Sequence, residues 1–111
     1  MKHLLQSIAI KLISSIEVWT DIVKTELVNR IVRNYFPNVE FKLFDINNQE
    51  YISYSSYRAL AIVIITKESN IYVLEHLLDT KDILLVITTS KKIKENYKHR
   101  VSVLLLDFVK S

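Results

Sequence analysis

The hydrophobic positions in the first third of the chain recur at helical spacing. Over residues 5–31, apolar side chains follow one another at steps of three or four, with charged and hydroxyl side chains between them. This stripe predicts an amphipathic helix that ends before Pro37, because the residue preceding a proline is disfavoured in the helical conformation. Ser14 followed by Glu17 matches the capping-box pattern, so we expect either one long helix or a break near residues 14–20.

The period of the pattern changes after Pro37. Residues 39–43 alternate between apolar and charged side chains, which predicts a half-exposed strand. Asn47 and Asn48 favour a turn, because asparagine tolerates a positive φ better than most residues. Residues 51–57, in which serines and tyrosines are interleaved, are expected to form the returning strand.

Three short apolar runs rich in β-branched residues follow, at residues 59–65, 83–87 and 101–106. Runs of this kind are typical of strands that are buried on both faces, in a parallel sheet covered by helices. Between these runs, over residues 71–78 and 91–97, apolar residues recur at helical spacing and predict two helices. We therefore predict an α/β fold in the order α-β-β-β-α-β-α-β, with a mixed, mostly parallel sheet flanked by helices.

The length of 111 residues fits a single domain, since a chain of this size buries enough surface for one hydrophobic core. An N-terminal helix of about 30 residues would be about 45 Å long, which is more than such a domain needs. The stripe therefore also predicts a homodimer, or a protein-interaction module that uses this helix. Frequent isoleucine, lysine, asparagine and tyrosine are typical of an AT-rich genome, such as that of a virus or plasmid.

The chain contains no glycine and no cysteine. Without glycine it cannot form the Gly-rich dinucleotide loop, the Walker A phosphate loop or the nucleophile elbow, each of which needs a residue without Cβ at fixed positions. Without cysteine it has no disulfide and no thiolate metal site, and its three histidines match no metal-binding motif. We accordingly predict no cofactor, no metal, no catalytic residue and no identifiable small-molecule substrate.

The N-terminal segment does not resemble a targeting sequence. Lys11 interrupts its apolar run and no small-residue cleavage site follows, so we do not expect a secretory signal. Elsewhere in the sequence, no apolar stretch reaches the roughly 18 residues that a membrane span requires. Together with the lack of cysteine, this predicts a cytoplasmic protein without a membrane partner.

Basic side chains concentrate in the C-terminal third of the chain. Residues 81–111 carry seven basic and three acidic residues, whereas residues 39–80 carry three and six. On a helix over residues 91–97, Ile93 and Tyr97 would face the core and the lysines would face solvent. Such a surface binds nucleic-acid phosphates in a salt-dependent way, although a solvated lysine-rich helix is the simpler interpretation. The predicted DNA- or RNA-binding residues are Arg58, Lys67, Lys91, Lys92, Lys94, Lys98 and Arg100.

Hydroxyl side chains and lysines follow two of the predicted buried strands. Thr66, Lys67 and Ser69 come after the first, and Thr88, Thr89, Ser90 and Lys91 after the second. Because ligands of open α/β sheets bind beyond the carboxyl ends of the strands, next to helix N-termini, these residues are candidates for an anion site. The alternative is that the hydroxyls cap the two helices that follow.

Two further polar clusters lie in the middle of the chain. The first comprises Tyr51, Tyr54, Tyr57 and Arg58, and the second comprises Glu75, His76 and Asp79. Tyrosines beside an arginine suit base stacking and phosphate contact, but aromatic residues are also normal in strands. The second cluster would share one helix face, where a carboxylate beside an imidazole suits acid-base chemistry but is more often an ordinary solvated surface.

The predicted third strand ends in Ile65-Thr66-Lys67, and Asp45 and Glu50 lie near the end of the strand before it. In its order of elements, most of the chain resembles the PD-(D/E)XK nuclease-like family, which includes archaeal Holliday junction resolvases. In that family an acidic residue, a spacer and a lysine end the third strand and assemble a magnesium site with an acidic residue of the second strand. Here only Lys67 matches, with isoleucine in the acidic position, and Asp45 or Glu50 would supply the other carboxylate. The resemblance therefore implies nucleic-acid binding without cleavage, with a magnesium-dependent nuclease as the alternative.

Overall fold

The computed structural model describes residues 15–48 and 58–106. Its strands are β1 (Ser15–Thr20), β2 (Glu40–Asp45), β3 (Leu60–Ile65), β4 (Asp82–Thr88) and β5 (Val103–Leu105). Its helices are α1 (Thr25–Tyr35), α2 (Ile71–Thr80) and α3 (Lys91–Tyr97), and a 3-10 turn over Glu68–Asn70 leads directly into α2. None of the helices in these ranges is long and apolar enough to cross a membrane.

The five strands form one sheet in the order β2-β1-β3-β4-β5, and each pair of neighbours is parallel. This is the flavodoxin-like doubly wound order, in which the direction of winding reverses between β1 and β3. The prediction of a single α/β domain with a largely parallel sheet flanked by helices is confirmed. The strand predicted over residues 51–57 lies outside the described residues.

The described part of the chain begins with a strand where the periodicity predicted a helix. The predicted N-terminal helix is therefore wrong over Ser15–Thr20, although α1 ends before Pro37 as expected. This segment is rich in β-branched and aromatic side chains, and it pairs with β2 on one side and β3 on the other. Within it, Ile16 and Trp19 are three positions apart and continue the apolar series on either side, so the segment also fits a helical spacing of three and four. Residues 1–14 lie outside the described ranges.

Two apolar clusters lie on opposite faces of the sheet. On the face covered by α1, which we call the α1 face, the cluster includes Ile16, Val18, Val28, Ile31 and Val32. On the face covered by α2 and α3, the α2/α3 face, it includes Trp19, Leu74, Leu77, Ile93 and Tyr97. All of β3 after Leu60 is fully buried between the two clusters. The apolar run that predicted a central strand therefore has the expected position.

A buried ion pair lies at the amino-terminal edge of the sheet, on the α2/α3 face. The Lys81 Nζ is 3.1 Å from Glu17 Oε1, and both side chains are almost completely shielded from solvent. The Trp19 indole N–H donates to the same carboxylate oxygen at 3.0 Å, and its ring stacks on Phe44 with centroids 4.6 Å apart. Buried charges are tolerated only when they are paired and hydrogen-bonded, and both conditions hold here.

Arg58 shows how this chain manages without glycine. Its φ of 62° lies in the left-handed region, which glycine occupies at less cost than any residue with a Cβ. The backbone N–H of Arg58 donates to the Thr80 carbonyl, and its guanidinium lies 3.4 Å from the Asp82 carboxylate. These contacts fix the turn that leads into β3 and offset the strain of the backbone.

Candidate nucleic-acid interface at the carboxyl edge of the sheet

The carboxyl ends of β1, β3 and β4 lie side by side at one edge of the sheet, which we call the carboxyl edge. The winding reverses between β1 and β3, so the connections that leave these two strands diverge onto opposite faces and open a crevice. In doubly wound sheets, ligands bind in this crevice. The residues that follow β1 and β3 therefore determine which polar groups a ligand in this crevice could contact.

Asp21, immediately after β1, fills this crevice with its own carboxylate. Oδ1 accepts from the Thr66 N–H at 2.9 Å and from the Thr66 hydroxyl at 2.8 Å. Oδ2 accepts from the Lys67 N–H and from the Asn70 side-chain amide, both at 3.0 Å. The side chain is buried, and the donors come from the loop that leads into α2. Successive backbone N–H groups of this kind form a concave anion-binding nest, and here the anion belongs to the chain.

The junction after β4 is also closed by internal hydrogen bonds. The Ser90 hydroxyl accepts from the Ile93 N–H at 3.2 Å, which caps α3, and donates to Glu68 Oε2 at 3.1 Å. The Thr88 hydroxyl accepts from the Ser90 N–H at 3.1 Å. The sequence left two interpretations of these hydroxyl residues, an anion site and helix capping. Ser90 caps α3, and the N–H groups after β3 are occupied by the Asp21 carboxylate. The edge has no open backbone pocket for a phosphate among these groups.

The lysine side chains at this edge, unlike the backbone N–H groups, are available for contact with an anion. Lys67 follows β3, and Lys91 and Lys92 begin α3; all three are exposed. Lys92 Nζ lies 4.0 Å from Glu68, whereas Lys67 and Lys91 form no ion pair within the described ranges. The two strand ends are adjacent, and the Thr89 hydroxyl donates to the Thr66 carbonyl at 3.4 Å between them. We call Lys67, Lys91 and Lys92 the edge lysines.

Two apolar side chains are exposed at the same edge. Tyr72, in the first turn of α2, keeps 60% of its surface in solvent, and Val23, in the loop after β1, keeps 88%. Lys24 follows Val23 and is also exposed. Tyr72 follows Lys67 by five residues, across the 3-10 turn. An exposed aromatic ring at the same edge as lysine side chains can stack on a base while the ammonium groups contact phosphates.

The other predicted nucleic-acid residues do not join the edge lysines. Lys98 and Arg100 follow the end of α3 and Arg58 precedes β3, so these three lie toward the amino-terminal edge of the sheet. Each contacts a carboxylate: Lys98 pairs with Glu95, Arg100 with Glu75 and Arg58 with Asp82. Lys94 lies midway along α3 and is half-buried. The predicted continuous basic surface is therefore divided between two edges.

Glu75 belongs to a polar cluster between α2 and α3 that differs from the predicted one. It accepts from the Tyr97 hydroxyl and, at 2.8 Å, from the Arg100 guanidinium. The hydrogen bonds from Arg100 and Tyr97 hold the pKa of Glu75 below its usual value. Burial, followed by the hydrogen bond to Glu75, raises the pKa of Tyr97 to about 12. His76 is exposed and makes none of these contacts, so the cluster joins α2 to α3 without the imidazole.

Asp45, one of the two carboxylates that the nuclease-like resemblance would use, lies apart from Lys67. Asp45 ends β2, on the far side of β1 from Lys67, and its Oδ1 accepts from the Asn47 N–H at 2.8 Å. Strands two positions apart are separated by roughly 9–10 Å. Glu50 lies outside the described residues. Over residues 15–48 and 58–106 there is no group of three His, Cys, Asp or Glu side chains that could hold a metal ion.

Sequence reasoning missed Asp21 and Asn70, which organise the crevice. The available signal was a carboxylate directly after an apolar segment, but that segment was assigned to a helix. Asp21 and Asn70 are 49 positions apart in sequence, and only the parallel pairing of β1 with β3 brings them together. Comparisons with protein-family models, with curated protein sequences and with solved structures find no significant match for this chain.

Proposed function

We propose that the protein is a non-enzymatic domain that binds single-stranded DNA or RNA along the carboxyl edge of its sheet. The edge lysines contact phosphates and the Tyr72 ring stacks on a base. The observation that carries this proposal is that Tyr72 and the lysines at two adjacent strand ends are all exposed at one edge of the sheet, and that Lys67 and Lys91 have no carboxylate partner in the described part of the chain.

The chemistry of the crevice favours binding by side chains over binding in a pocket. The nest after β3 holds the Asp21 carboxylate, and a second anion there would face that negative charge. Phosphates of an extended strand need no pocket, because ammonium groups neutralise them at the surface and release counterions. Stacking tolerates any base, so we expect little sequence preference.

The test is fluorescence anisotropy with labelled 20-nucleotide dT and rU oligonucleotides over a series of salt concentrations. Three lysine contacts with a single strand give a slope of about −2 in a plot of log K against log salt concentration. The triple variant Lys67→Gln, Lys91→Gln, Lys92→Gln should weaken binding at least tenfold in low salt and bring this slope close to zero.

The matched control removes the same charge elsewhere. Lys42, Lys98 and Arg100 are exposed; Lys42 lies on β2 and the other two follow α3, away from the edge lysines. Their triple substitution with glutamine should change affinity much less than the edge variant does. Equal losses in both variants would mean that net charge alone drives association, and the edge would then not be a binding site.

A further inference from the structure

The two faces of the sheet are covered unequally. Two helices, α2 and α3, pack on one face, whereas α1 is the single described helix on the other. Leucines of β3, β4 and β5 remain partly exposed on the α1 face, namely Leu60, Leu84 and Leu104. A parallel sheet needs apolar cover on both faces, and the elements over residues 15–48 and 58–106 cover the α1 face only in part.

A groove lies beside α1 on this face. A cavity of about 640 Å³ is lined by Leu27, Ile31 and Leu106, together with Arg30 and Arg33. A second cavity of about 480 Å³ continues it toward the start of α1 and shares Leu27 and Arg30 with the first. The groove thus extends along the length of the helix, with an apolar floor and charged residues beside it.

The charges beside the groove change sign along α1. Glu26 lines its first part, and Arg30 and Arg33 line the remainder. These residues are spaced at four and seven positions, so they lie on one side of the helix, and Glu26 and Arg33 are separated by about 10 Å along its axis. All three are exposed, and neither Glu26 nor Arg30 forms an ion pair with a described residue.

We propose that this groove is a homodimer interface in which α1 packs antiparallel against α1 of a second copy. A two-fold axis near the middle of the helix places Glu26 of one copy opposite the partner subunit's Arg33, and makes the same contact a second time. Leu27 of each copy then packs into the groove of the other. A stripe that is acidic at one end and basic at the other is complementary to itself only in this antiparallel arrangement.

The decisive experiment is a charge swap in the full chain, followed by sedimentation velocity at roughly 10 to 200 µM, a range that brackets micromolar dissociation constants. Glu26→Arg and Arg33→Glu should each weaken the dimer about tenfold or more, because each places like charges in contact twice. The double variant Glu26→Arg, Arg33→Glu should restore the dissociation constant to within about threefold of the starting protein, since it re-forms both pairs with reversed sign.

The controls separate the interface from helix stability. Glu26→Arg places a positive charge in the first turn of α1, and Arg33→Glu places a negative charge in its last turn, so each substitution opposes the helix dipole and destabilises the helix. The double variant has both destabilising changes, so recovery of its dimer cannot come from a more stable helix. The swap of Glu95→Lys on α3 with Lys98→Glu immediately after it should leave the dimer unchanged. A starting protein that is monomeric throughout the concentration range overturns the proposal and means that another part of the chain or a different protein covers the groove. A double variant as weak as the single variants also overturns it.

Discussion

The carboxylate of Asp21 accepts both the backbone N–H and the hydroxyl of Thr66, at 2.9 and 2.8 Å. The two residues are 45 positions apart, and together they join the loop after β1 to the loop after β3. In other doubly wound proteins, the N–H groups at this crevice bind an anionic group of a ligand, whereas here they bind the Asp21 carboxylate. The crevice is thereby part of the folded core, and its contribution to stability can be measured.

Replacing Asp21 with alanine should lower the free energy of unfolding by about 2–4 kcal/mol, because the Thr66 and Lys67 N–H groups and the Asn70 amide would lose their acceptor in a buried site. Urea denaturation followed by circular dichroism measures this loss. Asp79→Ala removes an exposed carboxylate from α2 and should change stability by less than about 0.5 kcal/mol. Equal effects of the two substitutions would contradict a structural role for the Asp21 hydrogen bonds.

The buried pair of Lys81 and Glu17 predicts strong energetic coupling. Lys81→Met leaves the Glu17 carboxylate buried without its cation and should cost about 3 kcal/mol or more. Adding Glu17→Gln removes the buried charge but keeps an oxygen that can accept from the Trp19 indole, so the double variant should regain a large part of this loss. A double-mutant cycle from urea unfolding gives the coupling energy. Additive effects of the two substitutions would show that the pair is not coupled.

Alkaline pH should destabilise the protein through Tyr97. Burial and the hydrogen bond to Glu75 raise its pKa to about 12, so the folded state retains a proton that the unfolded state loses near pH 10. The stabilisation is complete below pH 10 and is lost as the pH rises from there toward 12, by an amount on the order of 1–2 kcal/mol. Tyr97→Phe should remove this part of the pH dependence, whereas Tyr72→Phe, at an exposed position, should leave it in place. Thermal melts at pH 9, 10 and 11 compare the three proteins.

The stacking part of the proposed function makes a separate prediction for Tyr72. Tyr72→Ala should weaken oligonucleotide binding by roughly 1–3 kcal/mol, because a stacked base contributes about that much. The salt slope should stay the same, since the lysines still contact phosphates. Tyr72→Phe keeps the aromatic face and should bind like the starting protein. If the alanine and phenylalanine variants bind equally well, Tyr72 does not stack on a base.

The apolar runs of β3 and β4 were predictable because a strand buried on both faces needs β-branched residues at nearly every position. In β1 only Ile16, Val18 and Trp19 are apolar, and because Ile16 and Trp19 fit the helical spacing of their neighbours, the period of the pattern favours a helix there. Pairing with β2 and β3 decided in favour of the strand.

The lysines of the candidate interface could be named from the sequence, but their grouping could not. Lys67 and Lys91 are brought to one edge because β3 and β4 are parallel neighbours. Lys98 and Arg100 are close to Lys91 in sequence, yet α3 carries the chain back toward the opposite edge, where both find carboxylates. Positive charge that is continuous in sequence is therefore divided in space.

The fold class, the central buried strands and the exclusion of glycine-dependent phosphate loops could be read from the amino-acid order alone, because periodicity and the presence or absence of Cβ are local properties. The tertiary structure decided that β1 is a strand, that Asp21 occupies the crevice and that Glu17 and Lys81 form a buried pair. These features depend on contacts between residues that are far apart in sequence: 25 positions for β1 with β2, and 45 for Asp21 with Thr66. Only the order and direction of the strands bring such residues within hydrogen-bonding distance.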